Sequence, residues 1–197
     1  GGSAMIVQND SLQIEREVPT LAPEKAAERE LSTGTIHRYL LELQAGDYVR
    51  VAIDQQSIDV GARLLAPDGT LVIDVSYRQV GRRFLSAVAA TTGNYELDVL
   101  CLETSATTGR YVAMIDQQRQ ADPKDSQRVL AERAFTEAEA LQSEGRAEAT
   151  IAALDRYRRA FELWTKGEDH EGQALAKRKL GEALHVLGRS DDALAAL

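Results

Sequence analysis

The chain has 197 residues, 44% of them hydrophobic and 27% charged, which is enough apolar material to build a core and excludes a disordered tail. Its formal charge of −8 opposes phosphate backbones, so nucleic acid is not expected as a partner. The single cysteine excludes an internal disulfide framework and any multi-thiolate metal centre, and no apolar run reaches the roughly 18 residues of a membrane span.

In chain order, "GGSAM" over residues 1–5 lacks both a starting methionine and a signal-peptide core, and it reads as an expression scar. Residues 6–33 read as an N-terminal strand and a linker. Within them "SLQIEREV", Ser11 to Val18, supplies an additional strand, while "PTLAPEKAAERELSTG" holds two prolines and a charge cluster and reads as a long connection or one short helical turn.

Residues 34–120 have the period of strands. "TIHRYLLELQ", "DYVRVAID", "IDVGARLLA", "TLVIDV", "RFLSAVAA", "NYELDVLCL" and "GRYVAMID" are short, alternating or apolar, and rich in Val, Ile, Leu and Tyr. Gly46, Gly69, Gly93 and Gly109 in the intervening turns are read as positions of positive φ, with Pro67 fixing the φ before Asp68. No insert is long enough for a helical crossover. The expected fold is therefore an all-β antiparallel sandwich of seven or eight strands, jelly-roll-like. Alternation puts Tyr95, Leu97, Val99 and Cys101 on one face, which makes Cys101 a buried, inert thiol.

Residues 121–197 change period. Leu130, Ala134, Ala138 and Leu141 form one helical stripe, with Pro123 and Asp125 as first-turn and capping residues. Ala153, Tyr157, Ala160, Phe161 and Trp164 form a second stripe; Ala176, Leu180, Ala183, Leu184 and Leu187 form a third. Gly145, Gly167 and Gly188 mark the turns. The segment Glu139 to Leu154 aligned on Glu182 to Leu197, an offset of 43 residues, matches at 8 of 16 positions, the mark of a helical repeat. Gly181, Ala183, Ala193 and Ala196 would let adjacent helices approach closely.

"TIHRYLLELQAGDYVRVAIDQQSIDVGARLLAPDGTLV" followed by "GNYELDVLCLETSATTGRYVAMI" resembles the β-sandwich that precedes tetratricopeptide repeats in large bacterial proteins ending in a caspase-like CHAT domain. The sandwich is similar to the pre-peptidase C-terminal domain, on Ala45-Gly46 and on Asp59, Val60, Leu64, Pro67, Asp68 and Gly69. "KLGEALHVLGRSDDALAAL" has the spacing of a tetratricopeptide helix pair, and the junction "DPKDSQRVLAERAFTEAEAL" resembles the same family. The resemblance implies tetratricopeptide-type hairpins after the sandwich, cut inside a repeat, with any peptidase activity in a domain beyond Leu197. An extracytoplasmic location is favoured over a cytoplasmic one.

No catalytic constellation appears. His37, His170 and His185 fall in a strand, an acidic loop and a helix, none spaced to serve Cys101 or a nucleophile elbow, and no "GxxxxGK", "GxGxxG", "HExxH" or "CxxC" occurs. Neither an enzyme nor a cofactor is expected, and zinc is not. Asp54, Asp59, Asp68 and Asp74 flank strand ends and are the candidate calcium ligands, though their spacing matches no EF-hand and turn formation explains them as well. A carbohydrate-binding face would need exposed rings from among Tyr39, Tyr48, Tyr77, Phe84, Tyr95 and Tyr111, which read instead as core or edge. The expected function is a noncatalytic protein-interaction module whose partner is a protein, a peptide or another part of its own chain; the alternative is an in-cis regulatory fragment of a caspase-like peptidase. The stripe Ala183, Leu184, Leu187, Leu194 and Leu197 would lack cover, which predicts self-association through the C-terminal helices.

Overall fold

The computed structural model describes residues 13–14, 18–78 and 81–188. The expected scar at 1–5, most of the strand expected at 11–18, Ala193 and Ala196 of the close-approach set, and Leu194 and Leu197 of the stripe on which the self-association reading depends lie outside the described residues.

Among the described residues nine strands precede three helices: β1 Gln13–Ile14, β2 Ala27–Ser32, β3 Thr35–Leu43, β4 Asp47–Gln55, β5 Val60–Leu65, β6 Leu71–Asp74, β7 Arg82–Val88, β8 Gly93–Cys101, β9 Thr108–Gln120, α1 Pro123–Ser143, α2 Ala147–Lys166 and α3 His170–Val186. They form two facing sheets, ordered β1-β3-β8-β5-β6 and β2-β9-β4-β7. Apart from β1, each sheet alternates strands from the two ends of the module, the strand order of a jelly roll. Alternation along the strands explains the core. Val49, Val51, Ile53, Leu85 and Tyr111 of one sheet meet Tyr39, Leu41, Leu64, Leu97 and Val99 of the other, all at most 1% exposed.

Two expectations about the sheets are corrected. The segment read as a linker contains β2, which pairs antiparallel with β9 from Ala27↔Ala113 to Ser32↔Thr108 and buries Leu31 completely. Glu28 and Glu30 point outward from this edge strand, with Arg29 half-buried on the Leu31 face between them, a charged run easily mistaken for a solvated connection. The pairing is also not wholly antiparallel. β1 runs parallel to β3, and an isolated bridge joins Thr20 to Leu40 in the same sense.

The turn glycines divide. Gly46, Gly69 and Gly93 adopt positive φ. Gly109 does not, and is needed for another reason: a Cβ there would stand 2.5 Å from the carbonyl oxygen of Ser57. Gly167 likewise keeps a negative φ of −81°, and the left-handed residue of that turn is Glu168 at 53°. The N-cap of α1 is Asp122, with Pro123 in the first turn and Asp125 completing a capping box, rather than Asp125 acting as the cap itself.

The helices stack antiparallel in sequence and build their own core from Ala131, Phe135, Ala138, Ala153, Tyr157, Ala160, Trp164, Ala176, Leu180 and Ala183. The buried stripe of α1 runs through Val129, Ala131, Phe135 and Glu139, so Leu130, expected inside, is 46% exposed. The stripes expected on α2 and α3 are met at Ala153, Tyr157, Ala160, Trp164, Ala176, Leu180, Ala183 and Leu184. Small residues set the spacing between helices. Gly172 lies against the indole of Trp164, where an added Cβ would come 2.3 Å from a ring atom. Gly→Ala inside a helix normally stabilises by about 1 kcal/mol. Gly172→Ala should instead destabilise by about 1–3 kcal/mol through overpacking, read as a fall in the urea midpoint at unchanged m.

Sandwich and helices are not two separate bodies. Only Ala121 and Asp122 separate β9 from α1, and Tyr77 packs against both hydrophobic cores. Among the described residues no helix is long and apolar enough to cross a membrane.

Candidate functional site

The cleft between the sheet and the helices is the candidate site. Among the described residues β7 is the last strand of its sheet, so every second backbone N–H along it points away from β4 without a strand partner there. α1 lies along this edge. Glu132, three residues from both Val129 and Phe135 and so on the buried stripe, accepts from the Ser86 backbone N–H at 2.8 Å and from the Ser86 hydroxyl at 2.7 Å. The helix thus supplies the acceptor that a further strand would have supplied. Tyr48 donates to the same Ser86 oxygen at 3.2 Å, and Tyr77 meets Phe135 edge-on at 6.4 Å between ring centres.

Between these contacts opens a cleft of about 220 Å³. Tyr77, Phe135, Trp164 and Leu175 make its apolar wall, Arg50, Arg82 and Phe84 come from the sheet, and Asp169 and Glu171 stand at the first turn of α3. The cations on the sheet side are engaged. Arg82 forks onto Asp54 at 2.5 and 2.7 Å, and the guanidinium of Arg50 lies 3.9 Å above the Phe84 ring. Asp169 caps α3 through the Gly172 N–H at 2.9 Å and faces Arg128 at 3.6 Å.

Glu132 makes no ion pair among the described residues. Burial pushes its carboxyl up to about 7, against the pull of the Ser86 donors and of the Arg50 charge. A carboxyl whose folded value lies above its unfolded one contributes stability that is fully present below the ordinary carboxylate range and lost as pH rises through the folded value. The wild-type protein should therefore lose melting temperature relative to Glu132→Gln as pH rises from about 5 to about 8. Parallel melting profiles for the two proteins would contradict this assignment.

The residues singled out in the sequence lie elsewhere. Asp54 is held by Arg82; Asp59 is 3.7 Å from the buried Arg83; Asp68 accepts from Thr70 N–H and Asp74 from Ser76 N–H, each within its own turn. Among the described residues no three His, Cys, Asp or Glu side chains converge as a metal site would require. His37 is buried in β3 with Nδ1 2.8 Å from the Tyr111 hydroxyl, which is 2.5 Å from that of Tyr39, a polar string inside the sandwich. His170 opens α3 rather than lying in a loop, and His185 is in its last turn. Cys101 is half-buried, its Sγ 3.7 Å from the Thr33 hydroxyl. Tyr39, Tyr48, Tyr95 and Tyr111 are core residues at most 2% exposed, and Phe84 is covered by Arg50. The cleft residues were not singled out in the sequence. The available signal was Glu132, an acidic residue on the apolar stripe of "VLAERAF".

No protein-family model and no curated protein matches the chain. Among solved structures it is similar to PliG of Aeromonas hydrophila, a periplasmic lysozyme inhibitor of g-type lysozyme, with 19% identity, a TM-score of 0.35, and coverage of 50% of this chain and 95% of that one. PliG of Salmonella Typhimurium gives 17% identity and a TM-score of 0.41, covering 52% of this chain and 96% of its own. The pre-peptidase C-terminal domain of a Bacillus anthracis collagenase gives 10% identity and a TM-score of 0.37, covering 50% and 91%. These likenesses concern about half of the chain and bear on no activity.

Proposed function

We propose that this chain is a noncatalytic protein-interaction module in which sandwich and helices together present one recognition cleft. The observation that carries this reading is the joint itself. Tyr77 is shared by both cores and Glu132 caps the β7 edge, so the cleft has walls from both parts and a fixed width. Its size suits one or two side chains of a bound polypeptide rather than a buried substrate.

In finer terms, the module is the recognition or regulatory part of a larger, extracytoplasmic bacterial protein with tetratricopeptide repeats and a caspase-like CHAT domain. The sequence resemblance supports this, as does the agreement of two helix ends: Gly145 and Gly188, which correspond at the 43-residue offset, both adopt left-handed φ, of 67° and 72°. The repeat is not mirrored in burial, since Glu139 is buried where Glu182 is exposed and Ala140 is exposed where Ala183 is buried. Calorimetric titration of this chain with the polypeptide expected to follow it tests the reading. Saturable heat, lost when Phe135 or Trp164 is truncated, supports an in-cis module. An absence of heat with that polypeptide contradicts it.

A further inference from the structure

We infer that the cleft binds the basic side chain of a partner polypeptide, with its cation on Glu132 and its aliphatic stem along Tyr77, Trp164 and Leu175. This assignment rests on the recognition reading above and gives it a chemical class. Each carboxylate oxygen of Glu132, which lines the cleft, accepts one hydrogen bond from Ser86 and has capacity for a further one. On this carboxylate at the floor of an apolar-walled cleft Arg50 acts only from beyond ion-pair distance, so its charge is incompletely compensated, and a cation brought from outside satisfies it.

The groups facing Glu132 leave a negative surplus. On the sheet, Arg82 is neutralised by Asp54, and Arg50, stacked on Phe84, has Asp116 3.6 Å from its Nε. Tyr48 and Tyr77 are neutral, since burial raises both phenols. On α1, Asp125 is already held by the Arg119 fork at 2.5 and 2.9 Å, so Arg128, 3.6 Å from Asp169, balances that carboxylate. At the mouth, Glu171 makes no ion pair among the described residues. An anionic ligand would meet Glu132 and Glu171, Asp169 being balanced by Arg128, and a neutral one would leave Glu132 without an ion pair. A divalent metal would find one carboxylate on the floor where it needs about six oxygen ligands. A guanidinium or ammonium group needs only Glu132 below and Glu171 at the rim, and the apolar wall suits its methylene stem.

Binding requires ionised Glu132, whose carboxyl titrates at about 7. Apparent affinity for a cation should therefore rise about tenfold between about pH 6 and about pH 8, because the competent fraction rises by that factor.

Trp164 is the only tryptophan of the sequence and lines the cleft, so its fluorescence and indole N–H resonance report on occupancy. The intact chain is titrated with n-butylguanidinium, n-butylammonium, n-butanol and butyrate, with Glu132→Gln in parallel and its fold checked by circular dichroism. The expected result is a saturable Trp164 response to the two cations that strengthens with pH. It should weaken at least about tenfold, and lose its pH dependence, in Glu132→Gln. Butanol or butyrate binding as tightly as the cations would overturn the cation assignment while leaving the recognition cleft in place. Silence toward all four probes would also overturn it, and the calorimetric titration judges the interaction reading separately.

Discussion

Replacing Phe135 by alanine is expected to destabilise the protein by about 3–5 kcal/mol, the cost of emptying a large buried aromatic site. The ring is 4% exposed and stands 5.5 Å from both Tyr157 and Trp164 of α2 and 6.4 Å from Tyr77, which belongs to the sandwich. Each tilted aromatic pair adds about 0.5–1.5 kcal/mol to the area buried. The Trp164 indole is itself packed closely on Gly172. Urea unfolding would show the loss as a lower midpoint. Because Phe135 joins the two cores, the variant should also separate helix melting from sandwich melting, seen as non-coincident fluorescence and circular dichroism transitions. A loss below about 1 kcal/mol with coincident transitions would mean that the joint carries no energy.

Arg83→Leu should destabilise by about 2–4 kcal/mol although it places an apolar residue in a buried site. The guanidinium is 0% exposed and donates to the carbonyls of Val75 at 2.5 Å and Tyr77 at 2.6 Å, with Asp59 at 3.7 Å and the Tyr77 ring 4.8 Å from its centre. Leucine leaves both carbonyls without their donor, and each buried unsatisfied group costs about 1–3 kcal/mol. Arg83→Lys should not rescue it, since one ammonium on a flexible stem does not reproduce the planar fork. The stretch pinned by Arg83 contains Tyr77, so the Trp164 environment should change in both variants; an unchanged Trp164 spectrum would show that Arg83 does not position the cleft wall.

Strands and helices were legible where burial is one-sided. Val49, Val51 and Ile53 alternate and face one core, and Tyr157, Ala160 and Trp164 recur at helical intervals. β2 was not legible because its partner strand, β9, lies some eighty residues away and its exposed face is charged. Turn chemistry misled at Gly109 and Gly167, where the missing Cβ answers close packing instead of a positive φ. The site was hidden for a related reason. Ser86 and Glu132 are 46 residues apart, and nothing in the local period of either announces that the edge of β7 needs an acceptor. The aspartates that did stand out, Asp68 and Asp74, form their own turns.

The account stands on the helices being docked against the open edge of the sandwich, and amide hydrogen exchange at Ser86 tests that directly. This N–H points away from β4 and has the Glu132 carboxylate of α1 as its acceptor. The docked arrangement predicts that Ser86 exchanges as slowly as Leu85 and Ala87, its neighbours in the β4 register. Fast exchange at Ser86 beside protected Leu85 and Ala87 would mean that α1 leaves the edge, and the cleft would then have no fixed walls.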